Sequence, residues 1–437
     1  MLSRADFAMT ENTPQHELLA SACRKNAWRL LVILAIAYVV NFLDRNSIAY
    51  AGLTMNAALG LTASQFGWAA GITILSYSLL EVPSNLIMQR VGARLWLSRI
   101  MISWGLVASA GAFVVGPYSL YAARLLLGAA EAGFFPGVIV YLSTWFPASY
   151  RTRVLAWFLL AIPVSSLIGG PLAALLLELD GYLNIDGWQW VFLVEGAPAV
   201  LIGFITYFLL VDDPRNAKWL STGERDALLS ALASEKRDRA QHSFTAALRD
   251  VRVLVLTVIQ FGFTLATYGI GVWLPLILKE HGLNNTQIGL LSMPPYFAAG
   301  IGMLLWARFV DRNGGQIVNL TLSCLFAMFG VIGSVLFSEL VPSLIALTIA
   351  LIGVSSARAI FWTIPQRFLV GTAAAGGIAF INSVGLLGGF VGPFMMGWLR
   401  DLTGSFSSGL LVTAVILMIA AGFAALLRVL AKEPKAS

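Results

Sequence analysis

Arg124 and Glu131 stand seven residues apart inside an apolar run from about Tyr118 to Trp145. On one helix that spacing is two turns, so both side chains face the same way. The run is long enough to cross a bilayer at 1.5 Å per residue. A charge at that depth costs about 2.5–3.5 kcal/mol on insertion scales, so it rarely occurs without a partner or a wet cavity. Desolvation and a nearby arginine pull the protonation of Glu131 in opposite directions, the competition a proton-binding site requires. The plainer reading is an Arg124–Glu131 pair that only aligns helices, but intramembrane charges default to function. Gly128, Ala129, Ala130, Ala132 and Gly133 are small enough to admit a second helix closely. The run therefore reads as one wall of a polar cavity.

A second set of groups comes from Asn41-Phe42-Leu43-Asp44-Arg45-Asn46. Asp44 is about sixteen residues past Trp28, or about 24 Å along a helix, too deep for simple snorkelling. Adjacent residues point about 100° apart, so Asp44 and Arg45 need not pair with each other. Arg358 and Trp362, four apart, share a face, and an arginine beside an aromatic ring suits a carboxylate on a flat or hydroxylated body. A structural ion pair for Arg358 within the bundle is an equal alternative. Tyr77 and Glu81 also share a face; Glu81 lies nearer the end of its segment and reads as a gate or packing partner. The candidate substrate contacts are thus Arg45, Tyr77, Asn41, Arg358 and Trp362. Asp44, Glu131 and Arg124 are the candidates for proton coupling. Arg90, Arg94, Asp311 and Arg312, in loops, are candidates for closing one face. The only histidines are His16, His242 and His281, in loops or helix ends, and Cys23 and Cys324 fit no metal or disulfide spacing. No metal, no cofactor and no catalytic triad is expected.

The elements that must hold these groups are legible in composition. Of 437 residues, 58% are hydrophobic and 11% charged, and mean hydropathy is +0.81. A water-soluble domain averages about 25% charged residues, so the chain reads as an all-α, multi-pass membrane protein. Apolar runs of about 20 residues recur twelve times. The expected layout is an N-terminal segment (1–27), a six-helix bundle (28–211), a linker (212–251), a second six-helix bundle (252–431) and a short tail (432–437). Thr13-Pro14 would open a short helix, and Ser221-Thr-Gly-Glu224 is a capping box for a surface helix in the linker. The polar start and the length of the first apolar segment leave no cleavable signal peptide expected. Placing the N-terminus in the cytoplasm puts Arg4, Arg24, Lys25, Arg29, Arg90, Arg94, Arg99, Arg151, Arg153, Arg308, Arg312, Arg367, the linker and the C-terminal tail on the cytoplasmic side. Lys279 and Arg400 alone remain outside, so both termini are expected inside a bacterial inner membrane. The net charge of +6 follows this one-sided distribution and does not point to nucleic acid.

The halves repeat. Gln89-Arg90-Val91-Gly92 matches Asp311-Arg312-Asn313-Gly314 at an offset of 222, and Gly170-Pro171 matches Gly392-Pro393 at the same offset. A shared register argues for duplication of a six-helix unit. These loop strings resemble the signature of the major facilitator superfamily. Asn41-Phe-Leu-Asp44-Arg45, Leu80-Glu81-Val-Pro83-Ser-Asn85 and Ala130-Glu131-Ala-Gly133-Phe-Phe-Pro136-Gly137 resemble its anion:cation symporter family. That family includes bacterial permeases for galactonate, tartrate, phthalate, nicotinate and 4-hydroxyphenylacetate. The resemblance implies two pseudo-symmetric six-helix bundles, protonation at Asp44 and Glu131, a substrate carboxylate on Arg45, and Arg124 as the ionic partner of Glu131. Gln89 and Asn85 depart from the usual aspartate and glycine of the first signature. Leu386 and Ala161-Ile-Pro163 stand where relatives place polar amides, which disfavours a polyhydroxylated sugar acid and favours an aromatic or short-chain carboxylate.

The expectation is a secondary transporter, taken to be a monomer, that imports an organic carboxylate with protons by alternating access. A proton-antiporting exporter of anions or amphipathic compounds is the alternative. An enzyme or a membrane sensor is remote, since the linker is too short for a soluble domain and no nucleophile–base set exists.

Overall fold

In a medium without water every backbone group must be satisfied internally, and apolar runs of about twenty residues meet that demand as helices. The computed structural model describes residues 14–235, 250–365 and 371–430, and among these there are helices and no strand. A polar helix α1 (Pro14–Asn26) runs through one π-helical turn (Ala27–Leu31) into α2 (Val32–Ala58). The first half continues with α3 (Ala63–Val91), α4 (Ala93–Ala110), α5 (Pro117–Glu131) with α6 (Phe134–Trp145), α7 (Ala148–Leu159) with α8 (Ala161–Leu177), and α9 (Gly187–Leu209). The linker holds α10 (Thr222–Glu235). The second half has α11 (Val251–Lys279), α12 (Asn285–Leu291) with α13 (Met293–Asn313), α14 (Gln316–Leu336), α15 (Leu340–Phe361), α16 (Gly371–Leu386) with α17 (Gly388–Thr403), and α18 (Phe406–Leu430). Helices named as pairs form one crossing each, so twelve crossings stand in two sets of six. Among the described residues eleven crossings are apolar enough by composition to span a membrane. The twelfth, α3, is 29 residues long; it is packed between α5 and α17 and carries Thr73, Tyr77 and Glu81, which lower its hydropathy.

The duplication is visible in packing. In the first half α4 lies on α9, α3 on α5 and α2 on α9; in the second α14 lies on α18, α13 on α15 and α11 on α18. Gly92 and Gly314, 222 positions apart, turn the chain at matching places with φ of 92° and 72°, a region that favours glycine. The halves meet through α3 against α17, α8 against α12 and α13, and α2 against α11. Backbones touch at two of these seams. A Cβ on Gly67 would lie 2.4 Å from the Pro393 carbonyl oxygen, and one on Gly170 would lie 2.6 Å from that of Gly289.

Hydrogen bonds join the halves at the face that carries the α2–α3 and α11–α12 turns. Asp401, near the end of α17, accepts from the N–H groups of Ala63 (2.9 Å) and Ser64 (2.7 Å) and from the Ser64 hydroxyl. A carboxylate there faces the positive end of the α3 dipole. Lys279 donates to the Leu53 carbonyl, and Thr286 donates to Glu178 at 2.9 Å.

At the opposite face α1 packs on α10. The capping box forms as read, with Ser221 N–H on Glu224 Oε2 (2.8 Å) and Glu224 N–H on Ser221 Oγ (3.3 Å). Glu224 also accepts from Lys25 Nζ (2.8 Å) and Ser21 Oγ (2.7 Å). Burial works against its charge, but these hydrogen bonds hold its carboxyl down at about 2. Trp219 donates to Asn26 (2.9 Å) and stacks on Trp145. The loop signature is anchored to the first half: Arg94 gives its N–H to Asp212 (2.8 Å) and its Nε to the Tyr207 carbonyl (2.6 Å). Arg90, Asp311 and Arg312 are exposed. Arg4, His242, Arg367 and the tail at 432–437 lie outside the described residues.

Candidate functional site

The helix expected to run unbroken past Glu131 is interrupted there. α5 ends at Glu131, Ala132 is extended (φ −56°, ψ 128°) and Gly133 is left-handed (φ 89°) before α6 begins. A backbone freed in mid-membrane needs a local partner, and Ser84 of α3 supplies one, donating to the Ala132 carbonyl at 2.6 Å. Trp96 donates in turn to Ser84 Oγ at 3.0 Å. Gly133 is the residue that fits, since a Cβ there would meet Ser84 Oγ at 2.4 Å. The break turns Glu131 from a mid-helix residue into the last residue of a half-helix. It lies on the wall of a cavity between the halves.

Arg45 reaches that cavity from α2 and donates its Nε to Glu131 Oε2 at 2.7 Å. Its guanidinium lies 4.6 Å from the Tyr77 ring centroid. The Arg45 side chain is 20% exposed and that of Glu131 fully buried, so the pair has one wet and one dry member. Glu131 Oε1 has no hydrogen-bond partner. Thr73 and Tyr77 of α3, Tyr268 of α11 and Leu386 of α16 complete the wall around this pair. Both halves therefore contribute, and the hydrogen-bonding groups are few. A ligand carboxylate and Glu131 would compete for the same guanidinium fork, a bond whose planar geometry favours carboxylates.

Behind the pair lie more charges. Asp44, buried with both oxygens unpartnered, points away from Arg45 as adjacent helical residues must. It is within electrostatic reach of Glu131, Arg124 and Arg45. Arg124 is 5% exposed, lines the cavity and lies 4.8 Å over the Phe192 ring of α9. It feels the charge of Glu131, but the hydrogen-bonded ion pair of Glu131 is with Arg45. Asn41 is buried with Nδ2 unpartnered. Arg358 and Trp362 are partly buried on and just past α15, outside the lining of this cavity. Sequence reasoning passed over Glu195 of α9, which is 3% exposed and within reach of Asp44 and Arg124. Its signal was present: an acid inside the apolar run from 187 to 209.

The same chain can be set beside known proteins. Residues 34–393 match the family described as the Major Facilitator Superfamily. A protein of Agrobacterium vitis named for tartrate transport is 46% identical over 407 residues, 93% of this chain and 94% of that protein. The quinolone resistance transporter of Acinetobacter baumannii is 40% identical, covering 90% of this chain and 92% of its own length. Among solved structures, a bacterial homologue of the human lysosomal transporter Spinster superposes with a TM-score of 0.76 at 17% identity, over 91% of this chain and 96% of that one; at that identity the likeness speaks for the fold. With the twelve crossings, the duplicated halves and the cavity between them, these matches place the chain in the Major Facilitator Superfamily: it is a multi-pass membrane transporter and not an enzyme.

Proposed function

We propose that the protein imports an organic carboxylate together with protons across a bacterial inner membrane. The observation that carries this reading is the Arg45–Glu131 pair at 2.7 Å on the cavity wall. While Glu131 is ionised it occupies Arg45. A proton on Glu131 weakens that bond and leaves the guanidinium for the substrate carboxylate, and the substrate in turn favours the protonated state. Release to a more alkaline compartment restores the ion pair. Tyr77 and Tyr268 frame the bound anion, and Leu386 and the shortage of hydroxyl or amide groups favour a compact or aromatic acid over a sugar acid. With the termini and linker in the cytoplasm, the face bonded by Asp401 and Lys279 is the outer one, and it is closed in this conformation.

Uptake of radiolabelled tartrate and of nicotinate into proteoliposomes, with and without an inward proton gradient, tests the reading. Gradient-driven accumulation is expected for the wild type. Glu131→Gln is expected to lose accumulation and retain counterflow, because a neutral amide leaves Arg45 available and carries no proton. Accumulation indifferent to the gradient would sink the proposal. A second reading, proton-driven export, is favoured by the 40% identity to a quinolone resistance transporter. It predicts quinolone efflux that dissipates the gradient.

A further inference from the structure

Glu195 takes no part in the exchange between Arg45 and Glu131, yet it is the third carboxyl of the buried cluster. It stands on α9 one turn past Phe192, the ring that carries the Arg124 guanidinium. It is 3% exposed and leaves Oε2 without a hydrogen-bond partner. The titratable groups that bear on it are Asp44 of α2 and Arg124 of α5, with Tyr50 of α2 also within electrostatic reach. Helices α4 and α8, which also pack on α9, bring no further one to it.

The count of charges sets the problem. Asp44, Glu131 and Glu195 face Arg45 and Arg124, so full ionisation leaves one negative charge uncompensated in the dry interior. Arg45 holds Glu131 by a direct charge-assisted bond, which leaves Asp44 and Glu195 sharing one guanidinium. Neither Asp44 oxygen has a hydrogen-bond partner either. Two carboxylates before one cation are stable in such a place when one of them is protonated.

We propose that Glu195 is a resident proton carrier, which with Asp44 holds one proton before Arg124 in the substrate-free protein, so that the cluster is neutral before the anion enters. This rests on the uptake reading above and deepens it. The resident proton comes from water on the side to which the cavity opens and stays through the cycle. The coupled proton is a second one, taken by Glu131 as the anion binds Arg45. At alkaline pH the resident proton leaves, the cluster becomes net negative and repels the anion. Glu195 therefore acts as a positioning residue for charge: it sets the pH range in which the cavity accepts substrate without touching it.

The test is counterflow of radiolabelled tartrate in proteoliposomes at equal pH on both sides, measured across pH for the wild type, Glu195→Gln and Glu195→Asp. Counterflow moves no net protons, so it reads anion acceptance alone. The alkaline half-point is expected to rise by about one pH unit or more in Glu195→Gln, and to stay at the wild-type value in Glu195→Asp. A Glu195→Gln profile that superimposes on the wild type overturns the proposal. Infrared spectroscopy of the substrate-free protein at neutral pH gives a second readout. A protonated-carboxyl stretching band that disappears in Glu195→Gln, or moves in Glu195→Asp should the amide variant fail to fold, supports the assignment; its absence from the wild type overturns it. Failure of every carboxylate to exchange at any pH would instead remove the uptake reading, and the infrared band would still decide on Glu195.

Discussion

The Arg45 guanidinium, bonded to Glu131 and in the proposed mechanism yielded to a substrate carboxylate, is the centre of this site, and its geometry matters as much as its charge. Lysine at position 45 would keep the charge but lose the planar fork that matches a carboxylate. Arg45→Lys is expected to weaken the concentration dependence of tartrate counterflow by tenfold or more, about 1.4 kcal/mol, without abolishing folding; an unchanged half-saturation would contradict the assignment of Arg45. Leu386→Asn adds a hydrogen-bonding group to the cavity wall, and is expected to shift preference toward galactonate over nicotinate in a competition assay. Arg45, Asp44, Arg124 and Glu131 were legible because ionisable residues in apolar runs are costly and few. Which of them pair was not. Spacing along one helix gave the common direction of Arg124 and Glu131, but the neighbour that reaches Glu131 comes from α2, and only packing decides between two nearby arginines. Glu195 met the same criterion and was readable in principle.

At the scale of elements, the break after Glu131 and the α1–α10 latch behave differently under perturbation. Gly133→Ala must carry a Cβ at φ 89°, which costs about 1–2 kcal/mol, and place it 2.4 Å from Ser84 Oγ. We expect a lowered melting temperature in detergent and loss of counterflow, with Ser84→Ala not restoring them, because its Cβ still lies 2.8 Å from the added methyl and the Ala132 carbonyl loses its donor. The latch is a pH matter. Glu224 has its carboxyl at about 2 in the folded protein against an ordinary 4.5. Its stabilisation is therefore complete above about pH 4.5 and is lost as pH falls toward 2. Glu224→Gln is expected to cost about 1–2 kcal/mol at neutral pH, discounted for the half-exposed Lys25, and the gap between variant and wild-type melting temperatures should close as pH approaches 2. The capping box was legible because Ser-x-x-Glu is a local motif that needs nothing from the rest of the chain. The break was not, since Gly133 sits in an unbroken apolar pattern and its reason, Ser84 and Trp96, lies in other helices.

For the whole molecule, the repeat offset of 222 residues exposed the duplication and thereby the two-bundle architecture, but not where the bundles lock. At the face of the α2–α3 and α11–α12 turns, one of the bonds across the seam is a carboxylate placed on a helix end of the other half, with Asp401 satisfying two backbone donors of α3 that have no partner within their own helix. In a transporter that alternates, such a contact belongs to one conformation only, so removing it changes populations and not the fold. Asp401 is exposed, so each of its bonds to a backbone donor is worth about 0.5–1.5 kcal/mol after solvent screening, and a shift of about 1.4 kcal/mol is tenfold in a two-state ratio. Asp401→Ala is therefore expected to move the protein toward the state open at that face, while Asp401→Asn, which keeps one acceptor, should move it less. Spin labels at Asp180→Cys in the first half and Ser338→Cys in the second, both exposed on that side, read the opening as a longer or broader distance distribution. Cys23 and Cys324 are buried and can be replaced by alanine to silence background. A distribution that is the same in Asp401→Ala and in the wild type would show that the seam holds without Asp401, through the close backbone packing at Gly67–Pro393 and Gly170–Gly289 and the Lys279–Leu53 and Thr286–Glu178 bonds. In that case Gly67→Ala, whose added methyl meets a carbonyl oxygen and no flexible side chain, would be the substitution that opens it.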